Sequence, residues 1–321
     1  MHDRPVHPPF DPELMDALAA LTRVIPTTFT PDLIAGFRVP TDVEQLLADR
    51  NVTHRELSVP GFDGSELTLS VFARSDHSGF GPALYSIHGG GMVIGDRFGG
   101  LGEVLEWVEE FDAVCVSVEY RLAPEFPDPY PVEDCYAGLA WVAAHADELG
   151  IDPARLLIVG GSAGGGLAAG TSLLARDRRG PELLGAMLMY PMLDDRNRTV
   201  SSHQIDGVGF WDRGSNDTGW DALLGSRRNT GAVSIYAAPA RATDLTGLPP
   251  TFIDVASAEL FRDEAVLYAL QIWANGGVAE LHVVPGGFHG FENVAPDSAL
   301  ARQVRGTRRT WLARMLGGSA E

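Results

Sequence analysis

A serine on a glycine-rich turn is the strongest chemical signal in this sequence. Ser162 stands in the segment GGSAG (160–164), directly after the apolar run 156–159 and directly before a helix-like segment. A G-x-S-x-G segment at such a strand–turn–helix junction is typical of a nucleophilic serine that projects from the carboxyl end of a sheet. Small residues on both sides of the serine let the helix approach the strand closely. We therefore predict that Ser162 is a nucleophile.

A second glycine-rich turn is suited to stabilising negative charge. The segment HGGG (88–91) follows a strand-like run directly. Acyl transfer passes through a tetrahedral oxyanion, which needs preorganised N–H donors that are not covered by side chains. We predict that the backbone N–H groups of Gly89, Gly90 and Ala163 form this oxyanion hole. His88 is expected to hold the loop by hydrogen bonding rather than to act as a base.

A histidine near the end of the chain is a suitable general base for the serine. His289 lies in a glycine-flanked loop after the last strand-like run. In hydrolases with this serine turn the chain order is serine, acid, histidine. The acid is therefore expected between Ser162 and His289, and the candidates are Asp254, Glu259, Asp263 and Glu264. Glu259 is favoured because it lies in the loop between a strand and the following helix.

The composition excludes several other chemistries. The chain has 321 residues and a net charge of −19, and all 24 of its Lys and Arg residues are arginine. Without lysine, neither Schiff-base chemistry nor the lysine of a nucleotide-binding phosphate loop is available. The glycines at 160–166 are therefore not expected to bind phosphate. An acidic chain is also a poor partner for nucleic acid.

Neither a metal nor a cofactor is predicted. The nine histidines and the two cysteines, Cys115 and Cys135, show no metal-binding spacing. Both cysteines lie in segments typical of reduced, packed residues. The N-terminus has no apolar signal segment, and no apolar run is long enough to cross a membrane. We therefore expect a cytoplasmic protein without a membrane partner.

The rest of the sequence indicates the fold that positions these residues. Two strand-like runs at 54–59 and 66–74 precede an alternation of apolar strands with longer helices. Further strands are predicted at 83–88, 113–119, 155–160, 184–190, 251–255 and 279–284, and longer helices at 102–111, 132–149, 163–178, 262–275 and 298–316. This alternation is typical of an α/β protein with a mostly parallel sheet covered by helices on both faces. The first two strands are expected at an antiparallel edge.

Two segments are predicted to form a cap over the active site. Residues 1–50 are typical of short helices broken by prolines, and the alternation stops between about 195 and 246. The predicted organisation is an N-terminal part of a helical cap (1–50), a first part of the catalytic domain (51–194), a cap insertion (195–246) and a second part of the catalytic domain (247–321). Two unrelated surface additions are the alternative.

Six motifs in order resemble the hormone-sensitive-lipase-like family of α/β-hydrolases, and within it the bacterial acetylesterases and arylesterases. They are HGGGM (88–92), YRLAPE (120–125), GGSAGGG (160–166), YPMLDDR (190–196), AELFRDE (258–264) and GGFHGF (286–291). The resemblance covers most of the chain from about residue 55. It implies an eight-stranded sheet with a helical cap, cofactor-free hydrolysis of short-chain esters and frequent dimerisation. It also implies that Arg121, Glu125 and Asp134 brace the loop after the oxyanion segment by ionic pairing.

The sequence departs from the family pattern at two positions. Where the family usually has DPLRDE, this chain has Glu259 followed by LFRDE, so a glutamate occupies the place of the catalytic aspartate. The residue before the serine is Gly161, where relatives often have Asp or Thr. The residues together predict a serine carboxylesterase that cleaves small-molecule esters. A receptor-like binding protein on the same scaffold and an amidase or peptidase are the alternatives.

Overall fold

A mixed sheet of eight strands forms the centre of the computed structural model, which describes residues 5–317. The strands are β1 (Val52–Pro60), β2 (Glu66–Arg74), β3 (Gly81–Ile87), β4 (Val114–Val118), β5 (Ile151–Gly161), β6 (Gly185–Met189), β7 (Thr251–Ala256) and β8 (Ala279–Val284). Their order is β1-β2-β4-β3-β5-β6-β7-β8. Strands β1 and β2 pair antiparallel, as do β2 and β4, and every other pair is parallel. The predicted α/β class, the eight strands and the antiparallel edge are confirmed.

Helices surround the sheet and also form most of the two additional segments. The helices are α1 (Met15–Leu21), α2 (Ile34–Phe37), α3 (Val43–Leu47), α4 (Leu101–Phe111), α5 (Tyr130–Ala144), α6 (Ala146–Leu149), α7 (Ala163–Asp177), α8 (Val200–Gln204), α9 (Arg213–Leu224), α10 (Arg262–Ala274), α11 (Phe291–Val294) and α12 (Ala299–Met315). The single helix predicted at 132–149 is interrupted at His145, so it forms α5 and α6. The fifth strand begins at Ile151, four residues before the predicted start, because Ile151 pairs with Gly81.

The two faces of the sheet carry separate apolar cores. Side chains alternate across a strand, so Tyr85 and Ile158 contribute to one core while the neighbouring Leu84 and Leu157 contribute to the other. Helices α5, α7 and α10 cover the first core, and α4 and α12 cover the second. Apolar side chains therefore fill both faces of the sheet. The side chains with predicted chemical roles lie at the carboxyl ends of the strands.

The two segments predicted to form the cap lie against each other. The Phe29 N–H donates a hydrogen bond to Ser215 Oγ at 2.7 Å, and the Thr218 hydroxyl donates to the Phe29 carbonyl at 2.8 Å. The Phe29 ring also stacks on the ring of Trp211, with centroids 5.9 Å apart. The division into domains at 50, 194 and 246 stays a prediction, and residues 1–4 and 318–321 of the outer two domains lie outside the described residues.

The loop after the oxyanion segment is braced differently from the expectation. Arg121 pairs with the buried Asp134, with Nε 2.8 Å from Oδ2, as the family resemblance implied. Glu125 instead pairs with Arg38 of the N-terminal segment, at 2.8 Å, so its expected place beside Arg121 is wrong. Arg38 also donates to the carbonyl of Val93 at 2.8 Å. Arg38 therefore links the N-terminal segment to the sheet domain. This contact was not predicted because Arg38 lies far from the loop in the sequence.

Candidate active site

Ser162 lies on a strained turn between β5 and α7. Its φ of 57° and ψ of −123° lie outside the regions that non-glycine residues usually adopt. Three backbone hydrogen bonds hold it there: its N–H donates to the Met189 carbonyl at 2.9 Å, and its carbonyl accepts from Gly166 at 3.1 Å and from Met192 at 3.0 Å. The turn directs the hydroxyl away from the sheet, at the N-terminus of α7.

Close backbone contacts explain the small residues around the serine. A Cβ atom on Gly160 would lie 2.3 Å from the carbonyl oxygen of Gly164. A Cβ on Gly164 would lie 2.1 Å from the carbonyl oxygen of Ile87, at the end of β3. Neither separation is compatible with a side chain, because the obstructing atoms belong to the backbone. Glycine at these positions brings the serine turn next to the loop that follows β3.

The unusual Gly161 lies against a tyrosine. A Cβ on Gly161 would lie 3.2 Å from the hydroxyl oxygen of Tyr190, which also accepts a hydrogen bond from the Asn293 side chain at 3.3 Å. A larger residue before Ser162 would therefore displace this ring.

His289 is within hydrogen-bond distance of the serine. Its Nε2 lies 2.9 Å from Ser162 Oγ. The imidazole is 5% exposed, and the rings of Tyr190 and Phe261 meet it edge to face at centroid distances of 5.0 and 5.1 Å. Phe210 lies over it, with a centroid distance of 6.5 Å. These rings hold the imidazole in an orientation in which it can accept the serine proton.

Glu259 is the carboxylate beside the other nitrogen of this histidine. Its Oε2 lies 3.4 Å from His289 Nδ1, within ion-pair distance but outside the geometry of a hydrogen bond. Among residues 5–317, none of the three atoms Glu259 Oε1, Glu259 Oε2 and His289 Nδ1 has a hydrogen-bond partner. Burial raises the pKa of the Glu259 carboxyl, and the adjacent His289 opposes this rise. Hydrogen bonds between catalytic groups are often long in the free enzyme and shorten when substrate binds.

The other acidic candidates have different partners. Asp254 forms an ion pair with Arg308. Asp263 and Glu264 accept hydrogen bonds from backbone N–H groups of the segment 193–201, at 2.7 and 2.6 Å. All three are therefore engaged in holding neighbouring elements, and Glu259 is the candidate that the structure brings to the histidine.

Three backbone N–H groups beside the serine are free to donate. Gly89, Gly90 and Ala163 have no hydrogen-bond acceptor for their N–H groups within the described part of the chain. A Cβ on Gly89 would lie 3.3 Å from the Ser162 Cβ, so this peptide borders the nucleophile directly. Gly90 has a φ of +102°, and a Cβ there would lie 2.1 Å from the Ile94 carbonyl oxygen. These N–H groups can receive negative charge that develops next to Ser162.

A cavity of about 390 Å³ opens over the serine and the histidine. Four aromatic side chains of the two additional segments line it, namely Phe29, Phe37, Phe210 and Trp211. Trp211 packs on the oxyanion loop so closely that a Cβ on Gly91 would lie 2.3 Å from its ring. The cavity therefore combines aromatic walls with the polar groups at the catalytic edge of the sheet.

A buried ionic cluster on the cavity wall was missed from the sequence. Arg308 of α12 pairs with Asp254 of β7, with Glu103 of α4 at 2.8 Å and with Glu292 of α11 at 2.9 Å. All four side chains are less than a tenth exposed. Burial raises the pKa of Asp254 and of Glu103, and the Arg308 charge opposes both increases.

The sequence does contain a signal for this cluster. Arg308 is spaced four residues from Val304 and from Leu312, and three from Trp311, so it lies on the apolar face of α12. All three apolar residues are buried. An arginine on the apolar stripe of a helix indicates a buried charge that needs carboxylate partners. Periodicity could therefore have predicted the buried arginine, although not which carboxylates would meet it.

The described residues form neither a metal-binding cluster nor a helix that could span a membrane. In the chain from 5 to 317, no group of three or more His, Cys, Asp or Glu side chains could hold a metal ion. None of the helices described above is long and apolar enough to cross a membrane. Cys115 and Cys135 are both buried free thiols.

The sequence model of a family described by the alpha/beta hydrolase fold matches residues 84–293, about two thirds of the chain. The chain belongs to this hormone-sensitive-lipase-like family of α/β-hydrolases. It is 32% identical to carboxylesterase NlhH of Mycobacterium tuberculosis over 314 residues, which cover 95% of this chain and 97% of that protein. It is 34% identical to esterase LipI of the same organism over 224 residues, 67% of this chain and 68% of that protein.

A solved structure is similar over nearly the whole chain. The structure titled bacterial heroin esterase superposes with a TM-score of 0.87 at 41% sequence identity, and the match covers 96% of this chain and 98% of that one. Relatives that match over most of the chain are thus ester hydrolases. Together with the family membership, they identify the protein as an ester hydrolase of the carboxylesterase class.

Proposed function

We propose that the protein is a serine carboxylesterase that cleaves small-molecule esters with short acyl or aryl groups through an acyl-enzyme intermediate. Ser162 is the nucleophile, His289 the general base and Glu259 the acid that orients the imidazole. The 2.9 Å contact between His289 Nε2 and Ser162 Oγ supports this assignment most directly. It places an acceptor for the serine proton within the range that proton transfer needs.

The reaction follows from these positions. As the Ser162 Oγ–H proton moves to His289 Nε2, Oγ forms a bond to the ester carbonyl carbon and the carbonyl oxygen becomes an oxyanion. The tetrahedral intermediate then collapses, the bond to the alcohol oxygen breaks, and the imidazolium returns the proton to that oxygen. Water then attacks the acyl carbon as its proton passes to His289. The bond between that carbon and Ser162 Oγ breaks, the imidazolium returns the proton to Oγ, and the carboxylic acid leaves. Glu259 stabilises the imidazolium in both halves of the cycle.

The oxyanion in each half is assigned to the N–H groups of Gly89, Gly90 and Ala163. Their freedom from other acceptors in the described chain supports this role. Preorganised donors of this kind lower the barrier because they need no reorganisation when charge develops. Loss of one donor typically lowers turnover about 100- to 1000-fold.

Short acyl groups are proposed from the family resemblance and from the size of the cavity. Its volume of about 390 Å³ lies toward the small end of the usual range for ligand pockets. The aromatic side chains Phe29, Phe37, Phe210 and Trp211 close it on the side of the additional segments. A series of p-nitrophenyl esters from acetyl to dodecanoyl tests this, and we expect kcat/KM to fall as the chain lengthens. An increase through the series would contradict the proposal.

The nucleophile is tested by Ser162→Ala with Ser172→Ala as a matched control. Ser172 is also buried in α7, and its hydroxyl donates to the Ala168 carbonyl at 2.8 Å, away from the cavity. We expect Ser162→Ala to lose turnover of p-nitrophenyl acetate and Ser172→Ala to retain it, with both variants folded by circular dichroism. Equal activity of Ser162→Ala and the unmodified protein would overturn the assignment.

Two alternatives from the sequence are separated by similar assays. A receptor-like protein would bind ligands without reacting, whereas the contact of His289 with Ser162 supports catalysis. An amidase would turn over a matched amide as fast as the ester, and we expect the ester to react faster. A homodimer and a cytoplasmic location stay predictions, and analytical ultracentrifugation and cell fractionation are the measurements that test them.

A further inference from the structure

The cavity has a second polar region besides the serine and histidine. Glu103, in the first turn of α4, lines the cavity and is 8% exposed. Its Oε2 accepts a hydrogen bond from Arg308 Nη1 at 2.8 Å. Its Oε1 has no hydrogen-bond partner in residues 5–317. A buried carboxylate oxygen without a donor is costly, so this atom indicates that a donor is supplied from elsewhere.

His88 contributes a second buried acceptor to the same cavity. It is 3% exposed, and its Nδ1 lies 2.8 Å from the Gly89 carbonyl oxygen. A carbonyl can only accept, so the proton is on Nδ1. Burial lowers the pKa of this imidazole, which keeps the ring neutral and leaves Nε2 as a lone-pair acceptor. Within the part of the chain that the structure describes, Nε2 also has no partner.

The charge of the region is unbalanced in the direction that favours a cation. Three carboxyl groups, those of Glu103, Asp254 and Glu292, share the single guanidinium of Arg308. Arg305 lies close by: its Nη1 is 3.9 Å from Glu106 Oε1, and its Nη2 donates to the Glu292 carbonyl at 3.2 Å. A positive ligand at the cavity wall would offset the excess negative charge and favour the ionised form of the carboxyl groups.

Two glycines line the cavity between the oxyanion loop and α4. Gly99 and Gly100 both line the cavity, immediately before α4. Gly99 adjoins His88, since a Cβ there would lie 3.8 Å from the His88 Cβ. A Cβ on Gly100 would meet no atom within 4 Å. These two positions therefore add no side chain to the cavity lining beside His88 and Glu103.

We propose that this region, formed by His88, Gly99, Gly100 and Glu103, is a subsite that binds a protonated amine carried by the ester substrate. The inference rests on the proposed esterase function. The ammonium N–H groups donate to Glu103 Oε1, and the negative excess around Arg308 supplies the electrostatic attraction. The neutral His88 provides a further acceptor along the same wall. The substrate class is therefore an ester with an aliphatic amine in its acyl or its alcohol part.

Isosteric ester pairs test this subsite at neutral pH, where the amine is protonated. The alcohol part is probed with 2-(dimethylamino)ethyl acetate against 3-methylbutyl acetate. The acyl part is probed with the p-nitrophenyl esters of 4-(dimethylamino)butanoic acid and 5-methylhexanoic acid. The measured quantity is the ratio of kcat/KM for the amine ester to that for its neutral isostere. Comparison of this ratio between variants cancels the intrinsic reactivity of each ester.

The variants are Glu103→Gln and the control Glu106→Gln. Glu106 lies on the same helix but its side chain is 52% exposed and outside the cavity lining, so its loss removes the same charge without touching the subsite. We expect Glu103→Gln to lower the ratio at least about tenfold for one ester pair, as a charge-assisted hydrogen bond predicts. Glu106→Gln should change it less than about twofold. Equal ratios in all three proteins would overturn the proposal and leave a region that holds water only.

A second measurement on the unmodified protein covers the case in which Glu103→Gln does not fold. 2-(Dimethylamino)ethanol and 3-methylbutan-1-ol are compared as competitive inhibitors of p-nitrophenyl acetate hydrolysis, and 4-(dimethylamino)butanoate is compared with 5-methylhexanoate. At least one amine should inhibit about tenfold more strongly than its isostere. Equal inhibition within both pairs contradicts the subsite. Failure of the esterase function itself is distinguishable, because then the neutral esters would not be hydrolysed either.

Discussion

Removal of the buried Arg308 should destabilise the protein strongly. Arg308→Met keeps most of the side-chain volume but leaves the carboxyl groups of Glu103, Asp254 and Glu292 without a counter-charge. Breaking a buried ion pair by removing one partner costs about 3–5 kcal/mol. For 321 residues the entropy of unfolding is about 0.7 kcal/mol per kelvin, so the melting temperature should fall by about 4–7 °C.

The size of this loss should depend on pH. Burial raises the folded-state pKa of Glu103 and Asp254, and the Arg308 charge opposes the increase. A carboxyl with a raised folded-state pKa stabilises the fold most at low pH, and that stability is lost as pH rises through the folded-state pKa. Without Arg308 the folded-state pKa values of Glu103 and Asp254 rise further. The pH range over which their stabilising contribution is lost therefore extends to higher pH. The deficit of Arg308→Met should therefore be smaller at about pH 5 than at about pH 8.

The assay is thermal unfolding by circular dichroism at both pH values, with Arg309→Met as the control. Arg309 is the next residue of α12, but it is 46% exposed and pairs with Glu110 at the surface. An exposed pair contributes only about 0–1 kcal/mol. Similar shifts in Arg308→Met and Arg309→Met, or a deficit of Arg308→Met that is the same at both pH values, would refute the reasoning.

Two further predictions concern the triad acid and the serine turn. Glu259→Gln should lower kcat for p-nitrophenyl acetate about 1000- to 10,000-fold with little change in KM, because an amide does not stabilise the His289 imidazolium; a loss below tenfold would contradict the role. Gly166→Ala should cost about 3 kcal/mol in urea unfolding, because its Cβ would lie 2.0 Å from the Met192 carbonyl oxygen. The control Gly102→Ala in α4, where a Cβ meets nothing within 4 Å, should be neutral or stabilising by up to about 1 kcal/mol.

The elements of the sheet could be predicted because local patterns decide them. Uninterrupted apolar strands followed by longer amphipathic helices indicate a covered parallel sheet. The predicted second and eighth strands, at 66–74 and 279–284, have the observed bounds. Ser162 and His289 could be singled out for a related reason, since glycines around each mark loops at strand ends. The pattern indicated eight strand-like runs, in agreement with the family resemblance, but the order of the strands in the sheet was not predicted.

Contacts between distant segments could not be predicted. Glu125 was expected near Arg121, yet it pairs with Arg38, which is 87 residues away in the chain. The burial of Glu103 was also not predicted, because an acidic residue in the first turn of a helix is usually exposed at the surface. Its burial depends on Arg308, which lies 205 residues further along the chain. Such pairings depend on how the helices pack over the sheet, which a single sequence does not encode locally.

The most direct test of the catalytic arrangement is the site of covalent labelling by an organophosphonate. We expect one equivalent of the organophosphonate to inactivate the folded protein. The added mass should lie on the peptide that contains Ser162, and hydrolysis of p-nitrophenyl acetate should decrease in proportion to the fraction of protein labelled. This outcome requires the His289 imidazole to activate that hydroxyl at the observed distance of 2.9 Å. Inactivation with the label on another residue, or an active protein fully labelled at Ser162, would contradict the account.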